Sequence, residues 1–376
     1  MSENIYDRLG VRRVINGTSW VTVLGGSIMP PEVRQAMMDA VPYYVEMPEL
    51  NRKAGEVIAR ITGAEAGMVV SGAAAGQALM VAACMTGNDE AKASRLPDAT
   101  GLKDEVIIQR CHRNRYDGAF VLPGARFVEI GTAQSTPSWE LEGAITARTA
   151  AVAYVIAPFF RYPLSLSQVV EIAHARDVPV VVDAAAEVPP AENLKKFIRE
   201  GADMVTFSGG KGIRGPQSTG ILCGRRELIE AAWLHSLNYY SPHAGFGRPM
   251  KVCKEEVVGL VAALELFERT DHAAQWEAWR KQSEVIVRAL QGVPGLRVCL
   301  EDGDPNRQGP QAVVYFEPSW SGPSGEEVRA ALQKGDPPIY IGHGGYRDEL
   351  WVTPVTLQPG EEQVVARRLK EVLTQG

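Results

Sequence analysis

Between about Ala54 and Cys223, short β-branched runs alternate with stretches of helical period, and a parallel sheet follows from that rhythm. Helical spacing marks residues 54–61, 73–85, 166–176 and 195–200. EVIIQ (105–109), AVAYVI (151–156), VPVVV (178–182) and MVTF (204–207), with residues 67–70 and 220–223, read as strands. Strands separated by helices need crossover connections, and these lay strands side by side in one direction. An α/β fold is predicted, with a mainly parallel central sheet in a large domain over residues 51–245. After Tyr240 the pattern changes. Amphipathic helices are predicted over 255–269 and 272–290, strands near 296–300, 311–316 and 349–354, and a closing helix over 361–373. These suit a smaller α+β domain over 246–376, with residues 301–309 (EDGDPNRQG) as a loop. Residues 1–50 are expected to contribute to the small domain and to a subunit interface.

The composition narrows the function classes. The net charge is −6 and no basic run is present, so the electrostatic footprint of a nucleic-acid binder is missing. The five cysteines, Cys84, Cys111, Cys223, Cys253 and Cys299, are scattered and show no C-x-x-C spacing. That argues against a disulfide framework or zinc site and for a reducing, cytoplasmic setting, with no metal expected. The start, MSENIYDRLGVRRVING, is too polar for a signal peptide, and the apolar stretch 151–157 is too short to span a bilayer.

In open parallel sheets, ligands bind beyond the carboxyl ends of the strands. Ser71-Gly72, Arg110-Cys111-His112, Arg161, Asp183 and Ser208-Gly209-Gly210-Lys211 all follow predicted strands. If those strands are neighbours, the residues converge on one crevice. Lys211 lies between two glycines, which let backbone pack closely against a ligand. A lysine shielded from water loses its charge and attacks carbonyls. Alone, it reads equally as a solvated surface lysine.

Asp183 ends an apolar β-branched run, so burial is expected, and a buried carboxylate needs a cationic partner or several donors. The pyridinium N–H of pyridoxal 5′-phosphate (PLP) is such a partner. Ala185 is small enough to let a flat ring lie against the backbone. A helix N-cap before Ala184 is the alternative for Asp183. Ser71-Gly72-Ala73 opens a helix after a strand, where backbone N–H groups face a phosphate, and Ser208 adds a hydroxyl. The alternative there is an ordinary Ala-rich core helix. His112 is read either as a stacking group for the ring or as a surface histidine beside Arg113 and Arg115. Ser208-x-x-Lys211 also fits the S-x-x-K signature of serine acyl transfer, but no K-T-G follows and the motif sits in a glycine turn.

The blocks VVDAAAEVPP and GADMVTFSGGKGIRGPQSTGILCGRRELI resemble fold-type I PLP-dependent enzymes. More narrowly, they resemble the aminotransferase class V-like branch around bacterial selenocysteine synthase, which includes D-glucosaminate-6-phosphate ammonia-lyase. VINGTSWVTVLGGSIMPPEV, ELNRKAGEVIARITGAEAGMVVSGAAAG and GRPMKVCKEEVVGLVAALE occur in family order. The resemblance implies Lys211 as the Schiff-base lysine and Asp183 as the ring-nitrogen partner. It implies Ser71, Gly72, Ala73 and Ser208 around the phosphate and His112 near the ring face. It further implies a homodimer or larger assembly with sites near subunit interfaces, where Gly25-Gly26-Ser27 and Arg248 serve a neighbouring site. In IYIGHGGYRDELWVTP, His343 and Arg347 are candidates for the substrate. Arg347 is preferred for a carboxylate, with Arg161 or His343 reading the side chain.

The expected reaction is a PLP-dependent lyase reaction on a small anionic amino acid. The Cα proton is lost, a β substituent leaves, and a keto acid and ammonia result. β-Replacement or group transfer of the selenocysteine synthase type is the alternative, with racemase, aldolase or aminotransferase chemistry open on the same scaffold. The catalytic-like sequence begins almost at Met1 and the charge is negative, so a small-molecule substrate is expected, with neither nucleic acid nor membrane as partner.

Overall fold

The structure, a computed structural model, describes residues 4–157, 160, 162–236, 246–303, 308–344 and 348–374. Among the described residues the strands in chain order are β1 (Ile15–Gly17), β2 (Ala66–Val70), β3 (Glu105–Gln109), β4 (Arg126–Ile130), β5 (Thr149–Val155) and β6 (Val180–Asp183). They continue with β7 (Met204–Ser208), β8 (Gly220–Gly224), β9 (Leu296–Glu301), β10 (Gln311–Phe316), β11 (Ile339–His343) and β12 (Leu350–Val352). The chain divides into two units, Met29–Arg269 and Met1–Ile28 with Thr270–Gly376.

The larger unit carries a seven-stranded sheet in the order β2-β8-β7-β6-β5-β3-β4. β4, β3, β5, β6 and β7 run parallel, while β8 is antiparallel to both β7 and β2. Every residue of β5 and β6 is buried, as continuous apolar strands covered on both faces must be. Alternate residues feed separate cores: Val182 and Phe207 join Val33, Ile58 and Leu260, and Val181 and Met204 join Leu79 and Ile229. The period-2 pleat sends successive side chains to opposite faces. The helix Gly72–Thr86 approaches the sheet closely. A Cβ on its Gly76 would stand 2.0 Å from Thr206 Oγ1, so even alanine there would overpack by about 1–3 kcal/mol. Ser165 starts the helix Leu166–His174 with a capping box to Gln168.

The smaller unit has a five-stranded sheet, β1-β11-β12-β10-β9, parallel at β1/β11 and antiparallel elsewhere. Its core joins Val314 and Ile341 to Ile286, Val328 and Leu369, which come from the helices His272–Leu290, Gly325–Lys334 and Glu361–Thr374.

The units part at 28/29 and 269/270, not at 50/51 and 245/246. The helix Lys254–Arg269 buries Val257, Leu260 and Leu264 in the large core. Its Gly259 lies so near Met37 that a Cβ would meet Met37 Cγ at 2.8 Å. Amphipathicity shows that a helix has a buried face but not which core receives it. No helix among the described residues is long and apolar enough to cross a membrane.

Candidate functional site

Asp183 is the last residue of β6, 6% exposed. Its Oδ2 accepts from Gln77 Nε2 at 2.6 Å, and its Oδ1 accepts from the Ala185 N–H at 3.0 Å. Both donors are neutral. Burial pushes the carboxyl up from 3.8 to about 6, and the Ala185 N–H, the nearby Lys211 charge and the Gln77 bond only partly offset it. No helix begins at Ala184, so the N-cap alternative fails; the Ala185 bond belongs to a turn.

β7 follows beside β6 with Thr206 opposite Asp183. Ser208 ends it, and the Ser208 N–H donates to Ala185 O at 3.3 Å, tying the two strand ends together. Three residues later comes Lys211. Burial depresses its amine, while Asp183 and Glu187 act in the opposite sense. Its side chain forms no hydrogen bond or ion pair among the described residues. The flanking glycines have a different reason from the expected one. A Cβ on Gly210 would stand 2.4 Å from Gln217 Cα, and one on Gly212 would stand 2.1 Å from Val188 O. They pack against the chain's own backbone, which seats the lysine loop on the segment after β6. Arg214 closes this loop with φ +61° and an N–H bond to Lys211 O. That left-handed conformation costs a side-chain residue about 1 kcal/mol.

Ser71 stands before the helix Gly72–Thr86 and makes no side-chain capping bond, so its hydroxyl is not spent on the first turn. Gly72 has φ +80°, which favours glycine. A Cβ on Gly220 would meet the Gly72 carbonyl carbon at 2.6 Å, so the start of β8 lies directly under this turn, beside Ala73. Gln77 of the same helix reaches Asp183. From Gly72 to Gln77 the helix rises roughly 7.5 Å.

His112 is fully buried at the end of β3, which removes the surface-histidine reading. Its ring meets Tyr154 edge-on at 4.7 Å, Tyr162 at 5.5 Å and stacks with Phe160 at 5.8 Å. Its Nδ1 accepts from the Val155 N–H at 3.5 Å, and Val155 is the register partner of Asp183. β5 stands between, so β3 lies roughly 10 Å across the sheet from β6.

The smaller unit holds His343 at the end of β11, with Nε2 2.7 Å from Asp348 Oδ1. Arg161 and Arg347 lie outside the described residues.

Sequence reasoning missed two residues. Gln77 is a polar side chain in an otherwise small and apolar run, GAAAGQALMVAAC, and that contrast was a usable signal. Glu187 follows Asp183 by four residues, is half-buried, and is pushed up to about 7 by burial and by Asp183.

These residues fit PLP. A dry carboxylate held by two neutral donors lacks the charge that a pyridinium supplies. A half-buried amine, without a hydrogen bond among the described residues, suits a covalent anchor for an aldehyde. A helix start with its cap unspent suits a phosphate.

A family model described as SelA, L-seryl-tRNA selenium transferase, matches residues 14–275. D-Glucosaminate-6-phosphate ammonia lyase of Salmonella typhimurium is 35% identical over 379 residues, covering 99% of this chain and 98% of that protein. 5'-C-Glycyluridine monooxygenase-decarboxylase of a Streptomyces species is 34% identical, covering 98% and 92%. The solved structure of a D-glucosaminate-6-phosphate ammonia-lyase superposes with a TM-score of 0.86 at 34% identity, covering 100% of this chain and 99% of that one.

Proposed function

The chain belongs to the L-seryl-tRNA selenium transferase (SelA) family, and from that premise we propose that it is a PLP-dependent ammonia lyase. Its substrate is a small anionic amino acid with a leaving group on the β carbon, and its products are a keto acid and ammonia. The sheet, with β8 antiparallel in an otherwise parallel set, is the fold-type I arrangement. The observation that carries the reading is the pairing of a buried Asp183 with a desolvated Lys211, in a chain that aligns end to end with an ammonia lyase.

PLP, when bound, supplies an electron sink for the pair left at Cα. In this reading Lys211 anchors the aldehyde and, as a free amine, takes the Cα proton. Burial favours its neutral form, which is the form a base needs. Asp183 holds a proton on the ring nitrogen through charge, with Gln77 fixing the carboxylate. Ser71, Gly72, Ala73 and Ser208 hold the phosphate. Ala185 gives the ring a flat seat, and His112 lies toward its face. His343, Arg347 and Arg161 are assigned to the substrate.

The assay offers β-hydroxy and other β-substituted amino acids of both hands, with D-glucosaminate 6-phosphate among them, and reads ammonia and keto acid. Ammonia and keto acid in equal amounts are the expected result. Tight, salt-sensitive tRNA binding without ammonia would replace this reading with group transfer. Carbon dioxide release with oxygen uptake would replace it with the type of reaction for which the Streptomyces relative is named.

A homo-oligomer, a dimer or larger, is also part of the proposal. Met38, Val41, Tyr43, Tyr44 and Val45 are all at least half exposed, with Tyr44 fully so. A run of exposed apolar side chains of this size suits a subunit contact. Sedimentation velocity is expected to show a dimer or larger species, and Tyr44→Glu should shift it toward monomer. A wild-type chain that sediments as a fully active monomer at nanomolar concentration would overturn the oligomer. The five thiols are all free, which suits a cytoplasmic setting.

A further inference from the structure

The same sheet shows how this chain treats a buried structural carboxylate. Asp203, 2% exposed, accepts from the Val180 N–H at 2.7 Å and from Arg225 at 3.0 Å, and it lies 2.8 Å from His174 Nε2. Glu187 is treated differently. Its backbone is fixed: its N–H donates to Ala184 O at 3.1 Å, and its carbonyl accepts from Asn193 Nδ2 at 2.7 Å. The Val188 carbonyl that follows lies against Gly212, next to Lys211. Yet the side-chain Oε1 is buried with no hydrogen-bond partner among the described residues. A bare, buried acceptor costs about 1–3 kcal/mol. Among the described residues, the charged and titratable groups whose fields meet it are Asp183 at the end of β6, Lys211 after β7, Lys196 on the helix Asn193–Arg199 and Tyr162 after β5. Burial and Asp183 together leave its carboxyl near half-protonated at neutral pH, at about 7.

We propose that Glu187 is the proton-exchange partner of Lys211, delivering to the departing β oxygen the proton that elimination requires. This rests on the elimination reading above. The neutral Lys211 amine accepts the Cα proton and becomes an ammonium. The electron pair from that C–H bond forms the Cα–Cβ double bond as the Cβ–O bond breaks. The Glu187 carboxyl gives its proton to the leaving oxygen, water departs and a carboxylate remains. The Lys211 ammonium then returns a proton to that carboxylate, and both groups are reset.

The first test needs no turnover. On the full-length protein without PLP, Lys211 labelling by acetic anhydride is followed against pH by mass spectrometry. In Glu187→Gln the labelling midpoint is expected about one pH unit lower, because the carboxylate no longer favours the ammonium. Glu187→Asp should restore it in part. The second test compares a β-hydroxy amino acid with β-chloroalanine, whose chloride leaves without a proton. Glu187→Gln is expected to lose roughly 10²-fold in kcat on the hydroxy substrate, with KM unchanged, and to keep its rate on the chloro substrate. An unmoved labelling midpoint overturns the pairing with Lys211, and equal losses on both substrates overturn the delivery to oxygen. If the wild type eliminates neither substrate while the midpoint still moves, the elimination reading falls and the pairing stands.

Discussion

Lys211→Ala is expected to remove the visible absorbance of the PLP-bound protein and to lower turnover by roughly 10³-fold or more. Two functions are lost at once, the covalent anchor and the base for the Cα proton. The fold is expected to survive, since the Lys211 side chain forms no hydrogen bond or ion pair among the described residues. Its backbone is held instead by the apposition of Gly210 and Gly212 to Gln217 and Val188. Borohydride reduction of the wild type followed by peptide mapping checks the assignment independently of rate. The pyridoxyl label is expected on Lys211. A label on any other lysine, or an Ala variant with wild-type turnover, would remove Lys211 from the site.

Asp183→Asn is the second large effect, and it separates chemistry from folding. Turnover is expected to fall by about 10²- to 10³-fold, the scale of losing one aimed electrostatic partner in a dry site. The local hydrogen bonds have a way to survive. Gln77 Oε1 is buried without a partner among the described residues, so an amide flip of Gln77 turns that oxygen toward the NH2 group that the substitution introduces. The oxygen of the introduced amide still accepts from the Ala185 N–H. Stability should move the other way from activity. Burial raises the folded-state pKa of Asp183 from 3.8 to about 6, so the unfolded chain releases this proton at lower pH than the folded one. Folding stability from this group is therefore lost as pH rises from about 4 to about 6 and stays lost above that, by up to about 3 kcal/mol. Asparagine has no such proton. The PLP-free variant is expected to melt above the PLP-free wild type at pH 8 and level with it at pH 4, and added PLP should stabilise the wild type more. Wild-type turnover in the variant, or a lower melting point at pH 8, would make Asp183 a structural turn residue only.

Much of the large sheet was legible because β-branched residues in short runs, bounded by helical periods, leave few other solutions. Asp183 and Ser208, which end strands, and Ser71 and Lys211, which follow strands, are singled out as candidates for a related reason: a polar residue at or just beyond the end of a buried strand stands out against its own neighbours. β4, RFVEI, was not recognised, since this edge strand keeps an exposed Arg126 and Glu129 and lacks a continuous apolar signal. β11 was hidden by its glycine and histidine, and its place in the sheet depends on pairing with β1, more than 300 residues earlier.

The α/β class, the strand ends that carry polar groups, and the choice of one lysine and one aspartate all came from the sequence. Each rests on patterns a few residues long, set by backbone geometry and side-chain period. Packing in three dimensions was needed to bury His112 among Tyr154, Phe160 and Tyr162, to set Gln77 against Asp183, and to turn the glycines around Lys211 toward protein backbone. It was needed too for the assignment of Lys254–Arg269 to the large core and for the surroundings that Glu187 shares with Asp183 and Lys211. One cause underlies them all. Desolvation, hydrogen-bond satisfaction and the field at a titrating atom depend on groups brought close in space, such as Gln77 and Asp183, which stand 106 residues apart in the chain.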